Sequence, residues 1–182
     1  MPVIYTRKGD QGTTTLRTGP RRSKNDVIIE AIGSLDEADA TIGLARSILQ
    51  DDKAAEVLQH IQKDLHDVMA DVAIDPEHPQ RTKAIIGSDH LQWIEDQIDL
   101  FARDLEVPDY FIVPGDTYSA AALDVARAVV RRAERRMVKV MEEAGMPNSF
   151  LLQYINRLSS LLYTLELYVL SKQDSANSES EK

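Results

Sequence analysis

Cysteine is absent from all 182 residues, which rules out disulfide frameworks, thiolate zinc sites and cysteine nucleophiles. Aromatic residues make up only 5%, so aliphatic side chains must fill most of the core. The eight glycines and seven prolines are few, and they cluster outside the long periodic stretches, which favours helices over a β-sandwich. No apolar run approaches the ~20 residues needed to cross a bilayer. The opening MPVIYTRKGDQG lacks the apolar core of a secretory signal. A soluble, cytoplasmic protein is expected. Neither a GxxxxGK(S/T) phosphate loop nor a G-x-G-x-x-G dinucleotide fingerprint occurs. His60, His66, His78 and His90 form no HExxH and no Glu-x-x-His pair, so zinc-protease and di-iron readings fail, and surface positions are expected for all four.

What is present fits one domain. A hydrophobic content of 43% supports an ordinary core, and a chain of this length buries roughly two-thirds of its unfolded surface. The net charge is −9, unevenly spread: residues 1–24 carry +5 and residues 125–139 carry +5, which leaves −19 for the remainder. An acidic protein that gathers its positive charge into two short segments is suited to hold a compact anion between them. A nucleic-acid binder would spread basic charge over a wider surface, so that class is not expected.

From residue 34 the apolar spacing is helical. Ser34 followed by Glu37 reads as a capping box that starts a first helix with Leu35, Ala38, Ile42, Ala45 and Leu49 inward. A second helix is predicted over Asp52 to about Ile74, and a third from the N-cap candidate Ser88 through Leu105. A fourth spans about Thr117–Glu143, stopped by Gly145 and Pro147, and a fifth spans about Ser149–Ser171. Residues 1–33 show no sustained period and read as a structured loop, with a short extended piece at Val3–Thr6. The tail at 173–182 has almost no apolar residue and is expected to be disordered. The fold class is therefore all-α, a five-helix antiparallel bundle over 34–172 carrying an N-terminal loop over 1–33.

Four stretches carry possible chemistry. In Thr6-Arg7-Lys8-Gly9-Asp10-Gln11-Gly12-Thr13-Thr14-Thr15, glycines admit close backbone approach, hydroxyls donate to phosphate oxygens and two cations neutralise charge. A solvated turn is the competing reading. Arg127, Arg131 and Arg135 repeat at i, i+4 and i+8 beside the apolar face of the fourth helix. Such a stripe is either a solvated face or a phosphate fork, and the mutual repulsion of like charges at this spacing is relieved by an anion. Asp109-Tyr110-Phe111-Ile112-Val113-Pro114-Gly115 places four large apolar residues in a loop, either to plug the core or to line a pocket. Asn156 interrupts the apolar pattern of the last helix, as a bundle contact or as a ligand contact.

Six motifs occur in order: YTRKGDQGTTTL at 5–16, RRSKND at 21–26, GSLDEADATIGLAR at 33–46, FIVPG at 111–115, ARAVVRRAERR at 126–136 and YINRLSSLL at 154–162. Their order and spacing resemble the PduO-type ATP:cob(I)alamin adenosyltransferases from end to end. The resemblance implies a trimeric bundle with sites between subunits. It implies transfer of the 5′-deoxyadenosyl group of ATP to the cobalt of cob(I)alamin or a related corrinoid, with Mg²⁺ on the phosphates. ATP contacts are implied for Thr6, Arg7, Lys8, Gly9, Thr14, Thr15 and Lys24, for Arg131, Arg132, Glu134 and Arg135, and for Asn156. Asp36 and Arg127 match a pair bridged across the subunit boundary, and Phe111 matches the aromatic under the corrin. A corrinoid reductase and an adenosylcobalamin-dependent enzyme are implied partners, with neither nucleic acid nor membrane among them. Two rival readings are an ATP-binding sensor of the same fold without corrinoid chemistry and a structural scaffold. The chain departs from the pattern at Arg17-Thr18-Gly19, Asp116 and Ser160, where glycine-rich and aspartate-bearing forms are common.

Overall fold

The computed structural model describes residues 5–78, 83–110, 112–146 and 148–180, with side chains up to Gln173. Among these residues five helices follow a small hairpin. Strands β1 (Thr13–Thr15) and β2 (Arg21–Ser23) pair antiparallel, with Thr14 opposite Arg22. The helices are α1 (Val27–Ile48), α2 (Asp52–Val72), α3 (Ser88–Ala102), α4 (Tyr118–Glu143) and α5 (Phe150–Ser180). In space α1 packs on α2 and α4, α4 packs on α5, and α5 packs on α3. The all-α architecture expected from sequence is the one observed.

Three helices start where a side chain satisfies a free N–H group. Asp26 accepts from Ile28 N–H ahead of α1, Asp51 from Ala54 N–H ahead of α2, and Thr117 from Ala120 N–H ahead of α4. The first of these corrects the sequence expectation, because α1 begins at Val27 and not at Ser34. Ser34 lies inside the helix, where its hydroxyl donates to Glu30 O at 2.9 Å. Gly145, at φ +79°, closes α4 in the left-handed conformation that glycine adopts without strain. Gly87 precedes α3, and Ser88 is the first helical residue instead of the cap. The helical backbone of α5 runs through Ser180, beyond the boundary at 172.

The apolar stripes meet in one core. Ile28, Leu35 and Ile42 of α1, Leu58, Ile61 and Leu65 of α2, Ile94 of α3, Leu123 and Met137 of α4, and Leu151 and Ile155 of α5 are all fully buried. At ~25 cal/mol per Å² of apolar area, such stripes supply most of the stability that helix propensity alone cannot. Several buried polar groups tie the elements together. Tyr154 Oη donates to Asp64 Oδ2 at 2.8 Å between α5 and α2. Asp71, at the end of α2, accepts from Ile85 N–H, Ile86 N–H and Asn148 Nδ2, which ties the α2–α3 connection to the start of α5.

The hairpin is not the extended piece expected at Val3–Thr6. Val3 and Ile4 lie outside the described residues, and Tyr5 and Thr6 join no strand. It docks on the end of α2, where Leu16 enters the core, Arg17 N–H donates to Ala73 O at 2.9 Å, and Asp75 N–H donates to Thr18 Oγ1 at 2.8 Å. Gly19, at φ +79°, lies so close to Asp75 that an added Cβ would sit 2.4 Å from Oδ2. Only glycine fits that approach.

Candidate functional site

One arginine makes most of the side-chain hydrogen bonds that tie down the N-terminal loop. Arg21 donates to Lys8 O, Thr13 O, Thr13 Oγ1 and Thr15 Oγ1, at 2.6, 2.8, 3.0 and 3.1 Å in turn, and so clamps the Gly-Thr turn to β2. Its neighbour Arg22 reaches the other way, to Asp75 at 2.9 Å and Asp26 at 3.1 Å. Burial works to raise the Asp75 carboxyl, but the Arg22 hydrogen bonds and charge outweigh it and hold the group below its usual range. Between these anchors Thr6, Arg7, Lys8 and Lys24 are exposed, and Gly9 and Thr14 are half-buried. Lys24 reaches over Gly9: a Cβ there would stand 3.1 Å from the ammonium nitrogen. Arg7 adopts φ +59°, a conformation that costs a non-glycine residue on the order of 1 kcal/mol and that recurs where backbones are preset for ligands.

The second site element is a cavity of about 500 Å³ between α4, α5 and the α3–α4 connection. Arg127 and Arg131 open onto it from α4, Ser159, Ser160 and Tyr163 from α5, and Tyr110 and Ile112 from the connection. Among the described residues of that connection the apolar side chains do not plug the core. Tyr110 is 71% exposed and Val113 80%, and Tyr110 and Ile112 line the cavity. Phe111 lies outside the described residues.

Within the stripe, Arg127 donates to Asp124 through Nε at 3.0 Å and through Nη2. Arg135 donates to Arg131 O at 2.9 Å. Arg132 pairs with Glu37 of α1. Asn156 Nδ2 donates to Glu134 Oε1 at 2.9 Å, which joins two expected site residues across α4 and α5. Arg127 and Arg131 of the stripe therefore meet the apolar connection at the cavity, whereas Asn156 joins α4 through Glu134. The hairpin residues do not join them: among the described residues no hydrogen bond or ion pair links residues 5–26 to α4, and the first ion pair to α4 from the N-terminal side is that of Glu30, already in α1, with Arg136 at 3.4 Å. Asp36 is exposed and without a partner among the described residues, and Arg127 meets Asp124 instead.

Sequence reasoning passed over Arg21, Asp124 and Glu166. Arg21 sits in a basic run in which nothing distinguishes a clamp from a solvated charge. Glu166 had a signal: it is the one acid in the apolar run of α5 from Leu161 to Leu170. It is 2% exposed and lines the cavity. Burial, reinforced by the charge of Asp124 and partly offset by Arg127, raises its carboxyl to about 7. The cluster of Asp75, Glu77 and His78 could hold a metal ion by geometry, but Asp75 is already committed to Arg22.

The described residues thus set Arg127 and Arg131 beside a half-apolar cavity, with the threonine-rich loop apart from it. The profile of the cobalamin adenosyltransferase family matches residues 4–169. The chain belongs to that family. It is 40% identical over 163 residues to the corrinoid adenosyltransferase PduO of Salmonella typhimurium, covering 90% of this chain and 48% of that protein. It is 37% identical over 171 residues to the corrinoid adenosyltransferase of Mycobacterium leprae, covering 89% and 88%. The chain spans about half the length of the two PduO relatives, which include that of Citrobacter freundii. A solved variant of the PduO-type ATP:corrinoid adenosyltransferase of Lactobacillus reuteri, complexed with cobalamin and ATP, superposes with TM-score 0.83 at 33% identity, covering 91% of this chain and 90% of that one.

Proposed function

We propose that this chain transfers the 5′-deoxyadenosyl group of ATP to the cobalt of cob(I)alamin or a related corrinoid, forming adenosylcobalamin and releasing triphosphate. One observation carries the reading beyond family membership: Arg127 and Arg131 of the stripe and Tyr110 and Ile112 of the α3–α4 connection line the same cavity. A reaction between a polyanion and a large apolar-faced ring needs those two surfaces side by side.

The chemistry asks little covalent work of the protein. Co(I) is a strong nucleophile; its electron pair forms the Co–C5′ bond, the C5′–O bond breaks, and triphosphate leaves with the electrons of that bond. The protein must align cobalt with C5′ and stabilise the departing charge. Arg131, Arg132 and Arg135 serve the triphosphate, with Glu134 and Asn156 fixing one another beside them. Mg²⁺ brought in with the nucleotide would neutralise further phosphate charge beside Arg131, Arg132 and Arg135. Thr6, Arg7, Lys8, Gly9, Thr14, Thr15 and Lys24, within the N-terminal segment 1–33, hold the remainder of ATP. Phe111 packs under the corrin and keeps water and a lower axial ligand away from cobalt. The described groups support a site shared between copies, because the loop and the stripe do not meet within one chain. Asp36 of one subunit then pairs with Arg127 of the next, in a homotrimer. A corrinoid reductase supplies Co(I), and an adenosylcobalamin-dependent enzyme takes the product.

Incubating the protein with ATP, Mg²⁺ and chemically reduced cobalamin tests the reading. The spectrum of adenosylcobalamin should develop with stoichiometric triphosphate. Corrinoid that stays unalkylated while ATP is bound would leave a nucleotide-binding protein and overturn the proposal.

A further inference from the structure

Carboxylates removed from water are normally paired, since an unpaired buried charge is costly. Glu166 breaks that pattern. Only 2% of it is exposed, and it makes no hydrogen bond or ion pair with any described residue. Its neighbours are occupied elsewhere, because the Asp124 carboxylate accepts both contacts from Arg127. Glu166 lies one helical turn from Tyr163 on α5, and both line the cavity. The charged and titratable groups that face the same space are Asp124, Arg127 and Arg131 on α4 and Asp109 and Tyr110 on the connection. This is the position of a polar group waiting for something from outside the chain.

Resting on the corrinoid reading above, we infer that Glu166 contacts the corrinoid and takes up a proton as the ring seals the cavity, then hydrogen-bonds a carboxamide of the ring edge. The physical reason is solvent. In the open cavity, burial and Asp124 already bring the carboxyl to about 7. A ring that expels the remaining water raises the cost of the charged form further, so the group is protonated on binding. A protonated carboxyl both donates and accepts, which matches the C=O and N–H₂ of a primary amide. By linkage, affinity must then fall as pH rises through and above the free carboxyl's value, because the proton must be supplied from solution.

The test is binding of cob(II)alamin, kept anaerobic with saturating Mg-ATP, between pH 6.5 and 8.5. The wild type should weaken by about 25-fold across that range, because a carboxyl at about 7 is roughly three-quarters protonated at pH 6.5 and about 3% protonated at pH 8.5. Glu166→Gln keeps a donor and an acceptor without a titration, so it should bind tightly at both pH values. Glu166→Leu fills the space without hydrogen bonding and should bind about tenfold more weakly at pH 6.5. A melting curve checks that each variant folds, and Glu166→Gln alone decides if the leucine form does not. A wild-type affinity that is flat with pH, or a glutamine variant with the same pH slope as the wild type, overturns the inference and leaves the adenosyltransferase reading standing. No cob(II)alamin binding at any pH removes both.

Discussion

Single residues of the arginine stripe differ in what they already hold, and this sorts their expected effects. The Arg131 side chain has no partner of its own among the described residues, although its carbonyl accepts from Arg135. Arg131→Ala should remove a charge-assisted phosphate contact worth on the order of 2 kcal/mol, a loss of about thirtyfold in ATP use with little change in melting temperature. Arg135→Ala and Lys24→Ala should act in the same direction. Unchanged ATP dependence in all three would make the stripe a solvated face. Arg22 is the opposite case, a structural arginine. Asp75 has a folded-state value below its unfolded one, so its contribution is fully present above the ordinary carboxylate range and is lost as pH falls through the depressed value. In Arg22→Ala the Asp75 side chain remains buried without its cation. Acid unfolding of this variant should set in at higher pH than in the wild type, read by circular dichroism; coincident acid transitions would show the pair to be unimportant. Phe111 is decided by two activity assays. If it acts at cobalt, Phe111→Ala should fail mainly from Co(II), should lose less when Co(I) is supplied, and should keep its melting temperature.

Helices were legible where cap, period and stop agreed. Thr117, the stripe of α4 and Gly145 gave the bounds of that helix within a residue, because each local preference matches the packing. The start of α1 was misleading for a physical reason. Ser34 and Glu37 have the spacing of a capping box, whereas the Val27-Ile28-Ile29 run has modest helix propensity. Burial of Ile28 and Ala31 overrides that preference and carries the helix back to Asp26. Asp26→Ala should therefore cost ~1 kcal/mol of unfolding free energy as a lost cap, and Ser34→Ala much less, measured by chemical denaturation. The reverse order would restore Ser34 as the functional start. The hairpin was not legible, since it depends on Arg21 reaching back to Lys8 and Thr13 and on docking against Ala73 and Asp75. The cavity was half legible. The arginines and the apolar connection stood out as patterns, but Asp124 and Glu166 meet only because α4 packs on α5.

At the scale of the whole molecule, the single chain leaves several features unfinished. Leu44 and Ile48 on α1 and Tyr118 and Val125 on α4 are exposed, at 60%, 40%, 93% and 53%, and α1 and α4 are packed neighbours. Asp36 lies on the same α1 without a partner among the described residues. Apolar groups of this size gathered on adjoining helices mark an association surface more often than free solvent contact. Sedimentation should show a trimer, and Leu44→Asp should shift it towards monomer with loss of activity; a fully active monomer would remove the shared site. A sharper test uses two inactive variants. If each site takes its threonine-rich loop from one subunit and its arginine stripe from the next, Lys24→Ala and Arg131→Ala damage opposite halves. In trimers assembled at random from equal amounts of both, about one interface in four pairs an intact loop with an intact stripe, since each half is intact in half of the subunits. Co-refolding the two should then recover about a quarter of wild-type activity. Sites confined to single chains would recover none, because every chain carries one lesion. The recovered fraction therefore reports where the site lies, independently of how strongly either variant binds ATP.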